Sequence, residues 1–233
     1  RIAGAVYSRT TMSGDSALFS RRLAEKAAEH GATFQLGTRI VGLVVSEGRI
    51  RGVDTDAGLI EADRYILAAG VGSRRIAKSA GLDLPIYPVK GYTLTLPVAA
   101  GVTAPTMSGI DEDRLVAWSR FGDRLRMTGT ADFAGHDLSV NEEDARAIFR
   151  SGRELFPDAV RWDERELRSG LRPVTPDENP YLGPTDRYPE LLLNTGHGNL
   201  GWVMAAGSAR IVADLALGKE PDLDPVEFDA TAS

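Results

Sequence analysis

Hydrophobic positions along the chain predict a mixture of helices and short strands. Apolar residues recur at helical spacing after Asp15, a residue type that caps helices, and Gly31 marks the expected end of that helix. A capping-box pattern at 139–142 predicts another helix, which ends before Pro157. β-branched segments between turn residues predict strands at 38–46, 49–55, 59–62, 65–69, 84–97, 114–120 and 124–131.

Two uninterrupted apolar runs predict buried strands. The run at 65–69 is typical of a strand buried on both faces of a parallel or mixed sheet. A second run at 191–193 leads through a glycine-rich loop into a helix from about 202 to 217. Residues 172–190, which precede the second run, contain five prolines and predict an extended connection without regular structure.

Composition and charge exclude several classes of protein. The 233 residues carry 27 Lys plus Arg against 33 Asp plus Glu, a formal charge of −6, so we expect no nucleic-acid partner. Cysteine is absent, which excludes disulfides and Cys-ligated metal. The three histidines, at 30, 136 and 197, lie far apart in sequence, so we expect no metal site. No apolar stretch reaches the roughly 20 residues of a membrane helix.

The glycine-rich loop at 196–201 matches the pattern Gly-x-Gly-x-x-Gly between a strand and a helix. A dinucleotide fingerprint would continue into a second parallel strand with an acidic end, and the 32 residues after Gly201 show no such strand. The glycines still allow a ligand to approach the backbone, and the helix presents its positive end there. The alternative is that these glycines only form a tight turn.

Six segments in this order resemble the D-amino-acid oxidase superfamily of FAD enzymes, and in particular its bacterial D-amino-acid dehydrogenase branch. They are Gly14-Asp15, 52–55, 62–70, 84–92, 170–177 and 196–202. Family members begin with a βαβ unit that binds the ADP half of FAD, and this sequence contains none. The resemblance therefore implies the C-terminal part of such an enzyme, which we expect to bind FAD weakly or not at all and to be inactive alone.

The resemblance implies an α/β plus α+β fold in two lobes. Residues 11–83 and 169–218 would form an incomplete FAD-binding lobe, with a mixed sheet and helices. Residues 1–10 and 84–168 would form a substrate-binding lobe around an antiparallel sheet, and 219–233 would be a tail.

Arg172 is the catalytic residue that the resemblance implies, as the clamp for the substrate carboxylate. A planar guanidinium suits this role because it makes two parallel hydrogen bonds to a carboxylate. The alternative is a surface ion pair with Asp177 or Glu178. Three further residues are expected to contact substrate, although a neighbouring carboxylate or the core could hold them instead: Lys90, Tyr92 and Tyr181.

The resemblance also implies a set of cofactor-binding residues. The glycine loop would lie beside the flavin ring, with the helix dipole supporting negative charge there. The turn after the 65–69 strand would pass the ribityl and pyrophosphate region, and one strand residue would touch the adenine. The set comprises Val44, Ala69, Gly70, Gly196, His197, Gly198, Asn199 and Leu200.

The implied reaction is the oxidation of D-amino acids to 2-oxo acids and ammonia, by hydride transfer to FAD. Electrons would pass to a quinone or another carrier, and the implied partners are that carrier, a D-amino acid and the missing N-terminal half of the same enzyme. We expect a cytoplasmic location, with peripheral attachment to the inner membrane as an option. Two alternatives stay open: an oxidase of glycine or sarcosine, and a non-catalytic binding module.

Overall fold

A computed structural model of the chain describes residues 4–222. Its helices are α1 Ser16–Glu29, α2 Ser73–Ser79, α3 Arg146–Leu155 and α4 Gly201–Ala216. Its strands are β1 Ile40–Ser46, β2 Arg49–Thr55, β3 Gly58–Ile60, β4 Tyr65–Leu67, β5 Tyr87–Pro97, β6 Gly109–Asp111, β7 Val116–Phe121, β8 Arg124–Asp132, β9 Glu166–Val174, β10 Tyr181–Pro184 and β11 Leu191–Thr195. The first and last few residues, including most of the predicted tail, lie outside the described residues.

The strands form three sheets. Strands β1, β2 and β3 make an antiparallel meander, and β6-β7-β8-β5-β9 make a five-stranded sheet. The third sheet has the order β10-β11-β4, in which β10 pairs antiparallel with β11 and β11 pairs parallel with β4. The predicted mixed α/β architecture is confirmed.

The chain divides into two compact units. Within the described residues, unit 1 comprises 4–33, 91–131 and 138–170, and unit 2 comprises 34–90, 132–137 and 171–222. Each unit has its own buried apolar cluster, with Leu94, Leu125 and Ile148 in unit 1 and Leu67, Ile76 and Leu193 in unit 2. Unit 1 includes α1, which the sequence placed in the FAD-binding lobe. The functional assignment of the lobes stays a prediction.

Most of the helices and strands form where local signals in the sequence predict them. The Asp15 carboxylate accepts hydrogen bonds from the backbone amides of Ala17 and Leu18, at 3.0 and 3.1 Å, and so begins α1. Glu47 and Gly48 both have positive φ, as the tight turn of the β1–β2 hairpin requires. The start of α1 and the β1–β2 hairpin therefore follow from a side-chain cap and from turn residues.

Residues 172–190 contain strands, although their prolines predict an extended connection without regular structure. Residues 172–174 belong to β9, and Tyr181–Pro184 forms β10. Both strands lie at the edge of their sheets. A proline has no amide hydrogen to donate, and an edge strand can leave that position unpaired.

Two further expectations were wrong in detail. Helix α3 begins at Arg146 rather than directly after the capping-box pattern, because the side chain of Asn141 accepts from the amide of Glu143 and forms a turn ahead of the helix. Strand β4 is not buried on both faces, since Ile66 is 50% exposed. Helix α4 packs on β10 and β11, and it leaves the Ile66 face of β4 open.

Candidate functional site

The carboxyl ends of β4 and β11 lie side by side in unit 2. Parallel pairing places Tyr65 opposite Leu191 and Leu67 opposite Leu193, so the carboxyl ends of both strands lie on the same side of the sheet. The turn after β4 contains Gly70, and the loop after β11 begins at Gly196. Ligands of α/β proteins bind on this side, where the chains that leave the strands separate. The structure thus brings together the two predicted cofactor segments.

Glycine is required where the loop leaves β11. Gly196 has φ of +85°, and a β-carbon at this position would lie 2.7 Å from Cγ2 of Thr175. At Gly70, by contrast, a β-carbon would meet nothing within 4 Å. The backbone at Gly70 therefore faces open space, and a ligand could approach it without meeting a side chain.

Arg172 lies next to the glycine loop. The amide of Gly198 donates a hydrogen bond to the carbonyl of Pro173, at 2.9 Å, and this bond ties the end of β9 to the loop. The Arg172 side chain is half-buried, and this burial lowers the pKa of its guanidinium. The group still stays charged at neutral pH, because an arginine pKa lies far above 7. The partly buried Arg172 is therefore the neighbour in sequence of the residue that bonds to the loop.

Helix α4 begins directly after the glycine loop. Its N-cap residue is Leu200, whose side chain makes no capping hydrogen bond, and its first turn contains no acidic residue. The amide groups and the positive dipole end of this 16-residue helix consequently lack an anionic side chain among its own first residues. This end of α4 favours negative charge on a neighbouring group.

His197 is turned back against α4. Its Nε2 lies 3.0 Å from Oγ of Ser208, which is buried in the helix. Burial lowers the pKa of His197, so the neutral imidazole is favoured. The contact anchors the loop to α4, and a chemical role for the ring stays a prediction.

We expect His197 to make stability depend on pH. As pH falls through 6.5, the unfolded chain takes up a proton that the folded ring resists until its lower pKa is reached, so the free energy of unfolding decreases over that window. His197→Gln should remove this component, which urea unfolding at pH 7.5 and 5.5 would measure. Asn199→Ala, in the same loop, removes no titrating group and serves as the control. An equal pH dependence in His197→Gln and wild type would contradict the assignment.

The other predicted residues occupy varied positions. Lys90 is buried, and its Nζ lies 3.2 Å from Oδ2 of Asp137. Tyr181 is buried on β10 opposite Thr195, and burial raises the pKa of its hydroxyl. These two residues belong to unit 2, like the strand ends described above. Their contact with substrate stays a prediction.

Three further predicted residues have different surroundings. Tyr92 is fully buried in the core of unit 1, where its hydroxyl donates to Asp144 at 3.1 Å. Val44 lies in the separate β1–β2–β3 sheet, opposite Gly52. Asn199 is an exposed residue of the loop. The roles assigned to these residues stay predictions.

Sequence reasoning missed the hydroxyl residues beneath the loop. Thr175, Thr195 and Ser73 are each at most 2% exposed. Thr195 ends β11, Ser73 bonds to Thr195, and Thr175 lies against Gly196. Polar residues that end or follow an apolar strand are a signal for the ligand-binding edge of a sheet. Thr195 carries that signal, because it ends the run Leu191-Leu192-Leu193-Asn194-Thr195 directly before Gly196.

Residues 4–222 contain neither a metal-binding cluster nor a membrane-spanning helix. No group of three or more His, Asp or Glu side chains there could hold a metal ion. Among the described helices, none is both long and apolar enough to cross a membrane.

Comparison with known proteins identifies the family. The model of the DAO family, described as FAD dependent oxidoreductase, matches residues 1–215. The chain belongs to this family. It is 44% identical over 226 residues to D-amino acid dehydrogenase 2 of Mesorhizobium japonicum, a match that covers 97% of this chain and 54% of the relative. It is 43% identical over 232 residues to D-amino acid dehydrogenase of Chromohalobacter salexigens, with 99% and 55% covered. The chain thus spans about half the length of these curated relatives.

Solved structures of other proteins are similar to this chain in fold. Glycine oxidase from Geobacillus kaustophilus superposes with a TM-score of 0.81 at 27% identity, over 92% of this chain and 57% of that one. Iminodiacetate oxidase from Chelativorans sp. BNC1 gives a TM-score of 0.82 at 22% identity, over 91% and 57%. The second similarity concerns the fold alone.

The residues at the carboxyl ends of β4 and β11 are compatible with FAD, the cofactor of the DAO family. The open backbone at Gly70 leaves room for close approach, and the amino end of α4 favours negative charge next to the loop. Both features suit a cofactor that carries phosphates and becomes electron-rich on reduction.

Proposed function

We propose that this chain is the part of an FAD-dependent D-amino acid dehydrogenase that holds the substrate carboxylate beside the flavin. The hydrogen bond from the Gly198 amide to the Pro173 carbonyl carries the proposal, because it joins the Arg172 strand to the glycine loop. The names of the relatives support D-amino acids as the substrate class. The whole enzyme would also need the part of the protein that lies outside this chain.

Arg172 would bind and orient the amino acid. Its guanidinium can make two parallel hydrogen bonds to the carboxylate, and partial burial strengthens them by excluding water. Holding the carboxylate fixes the direction of the α-carbon hydrogen, which converts affinity into orientation. Bound FAD would supply the acceptor for the hydride. The chain's contribution is therefore position and charge.

The proposed reaction needs no assigned general base. The substrate would react as a carboxylate with a neutral amine, and the imino acid formed would be hydrolysed to a 2-oxo acid and ammonia. Electrons would then pass to a quinone or another carrier rather than to oxygen, in keeping with the word dehydrogenase in the relatives' names. Peripheral attachment to the inner membrane would bring the enzyme to such a carrier.

The test joins this chain to the missing portion of its parent and supplies D-alanine with an artificial redox dye. We expect bound flavin, reduction of the dye, and release of pyruvate and ammonia without hydrogen peroxide. L-Alanine is the matched control, and it should give none of these products. A joined protein without bound flavin would overturn the proposal and favour a non-catalytic module.

A second candidate is an oxidase of glycine or a related amine. The structural similarity to glycine oxidase at 27% identity favours it, although the dehydrogenases are more similar in sequence. The same assay separates the two candidates. Hydrogen peroxide formed from glycine, with no activity on D-alanine, would establish the oxidase.

A further inference from the structure

Two buried hydroxyl groups connect the ends of β4 and β11. Ser73, at the start of α2, is 0% exposed, and Thr195, at the end of β11, is 1% exposed. Their oxygens lie 2.9 Å apart. The amide of Ala69 donates to Oγ of Ser73 at 3.1 Å, and Oγ1 of Thr195 donates to the carbonyl of Gly70 at 3.3 Å. Both hydroxyls therefore also bond to the backbone of the turn after β4.

Donor counting fixes the direction of this chain of hydrogen bonds. Each hydroxyl has one hydrogen to donate. Thr195 uses its hydrogen on the Gly70 carbonyl, so Ser73 must be the donor in the bond between the two side chains. The order is then Ala69 amide to Ser73, Ser73 to Thr195, and Thr195 to Gly70. Hydrogen bonds that run in one direction polarise and strengthen one another.

The arrangement joins two turns that strand pairing alone would leave independent. The last parallel pair of the sheet is Leu67 with Leu193, and both chains leave the sheet soon after it. Beyond that pair, the bonds of Ser73 and Thr195 set the spacing between the Gly70 turn and the loop that starts at Gly196. Loss of either hydroxyl would leave a buried polar group unpaired, and the distance between the Gly70 turn and the glycine loop would no longer be fixed.

We propose that Ser73 and Thr195 are positioning residues that hold the Gly70 turn and the glycine loop at the one spacing that FAD requires. The inference rests on the proposed function, because it assumes that both segments contact the cofactor. It goes further by assigning FAD retention to two residues that need not touch FAD. These residues act through the backbone of Ala69 and Gly70.

The test measures FAD binding in the full-length enzyme. We expect Thr195→Val, which keeps the shape and removes the hydroxyl, to raise the dissociation constant of FAD at least about tenfold and to alter the visible absorption bands of the bound flavin. Thr195→Ser keeps the hydroxyl and should retain FAD within about threefold of wild type. Ser73→Ala should match Thr195→Val, and the double variant should be no weaker than either single one, because each breaks the same chain.

Thr185→Val is the matched control. Thr185 is 8% exposed, and its hydroxyl also donates and accepts, here with the backbone of Tyr188. Its amide bonds to the carbonyl of Leu191, at the end of β11 away from the glycine loop. The variant should lower the melting temperature without changing FAD affinity. A purely structural role for Thr195 would give the same result in Thr195→Val.

Hydrogen exchange provides a second test that needs no bound cofactor. In the full-length enzyme without bound FAD, Ser73→Ala should speed hydrogen exchange at the Ala69 amide, because the acceptor is lost. Wild-type FAD affinity in both Thr195→Val and Ser73→Ala would overturn the inference and leave the proposed function intact. A full-length wild-type enzyme that binds no FAD would overturn the proposed function and the inference together. If Thr195→Val does not fold, Ser73→Ala and the exchange measurement decide the matter.

Discussion

Arg172→Met is expected to lower kcat/KM for a D-amino acid at least about a hundredfold in the full-length enzyme, and Arg172→Lys at least about tenfold. Methionine removes the charge that, in the proposed function, would meet the carboxylate. Lysine keeps the charge but not the two parallel donors, so the substrate is bound less firmly and oriented less well. Tenfold corresponds to about 1.4 kcal/mol in the activation barrier. Steady-state kinetics with D-alanine would measure both values.

Arg168→Lys is the matched control for the Arg172 variants. Arg168 lies on the same strand, β9, but its side chain is 77% exposed and pairs with Glu166. This substitution should leave kcat/KM unchanged. Unchanged kinetics in Arg172→Lys as well would remove the carboxylate clamp from the proposed function.

Gly196→Ala is expected to lower the free energy of unfolding by about 2–4 kcal/mol, since two costs add. The first is the left-handed backbone, because φ of +85° disfavours any residue with a β-carbon. The second is a clash with Cγ2 of Thr175, which is 2% exposed and has little room to move. Urea denaturation of this chain measures the loss. In the full-length enzyme the distorted loop should also release flavin.

Gly207→Ala is the matched control, and it should have the opposite sign. Gly207 lies inside α4, is exposed, and leaves open space where a β-carbon would project. Alanine there should stabilise the helix by about 0.5–1 kcal/mol. Equal effects of the two substitutions would mean that the loop adapts to a side chain at 196, contrary to the geometry described.

Much of the fold could be predicted because its signals are local. The Asp15 cap, the Glu47-Gly48 turn and the apolar run at 191–193 each define an element within a few residues. The errors occurred where partners distant in sequence decide the outcome. Pro184 is accommodated in a strand because β10 lies at an edge, and the exposure of Ile66 depends on how far α4 reaches across the sheet. Neither fact can be read from neighbouring residues.

The candidate site was only partly predictable for the same reason. The glycine loop and Arg172 are visible as motifs, and a resemblance to a family suggested their roles. The hydrogen bond from Gly198 to Pro173 and the buried Ser73–Thr195 pair join segments that no local pattern connects. The hydrogen bond of Tyr92 with Asp144 likewise spans 52 positions, so this partner was not apparent from the strand pattern, although the core was one of the two expectations for Tyr92.

The parallel pairing of β4 with β11 also has a kinetic consequence. Ser73 and Thr195 are 122 positions apart in the chain, so the edge that carries the site closes a very long loop. Contacts between distant segments form slowly, whereas hairpins and single helices form early. During synthesis, the β1–β2 hairpin can form long before β11 has been made. Assembly of the site therefore reports that the late segments of the chain have folded.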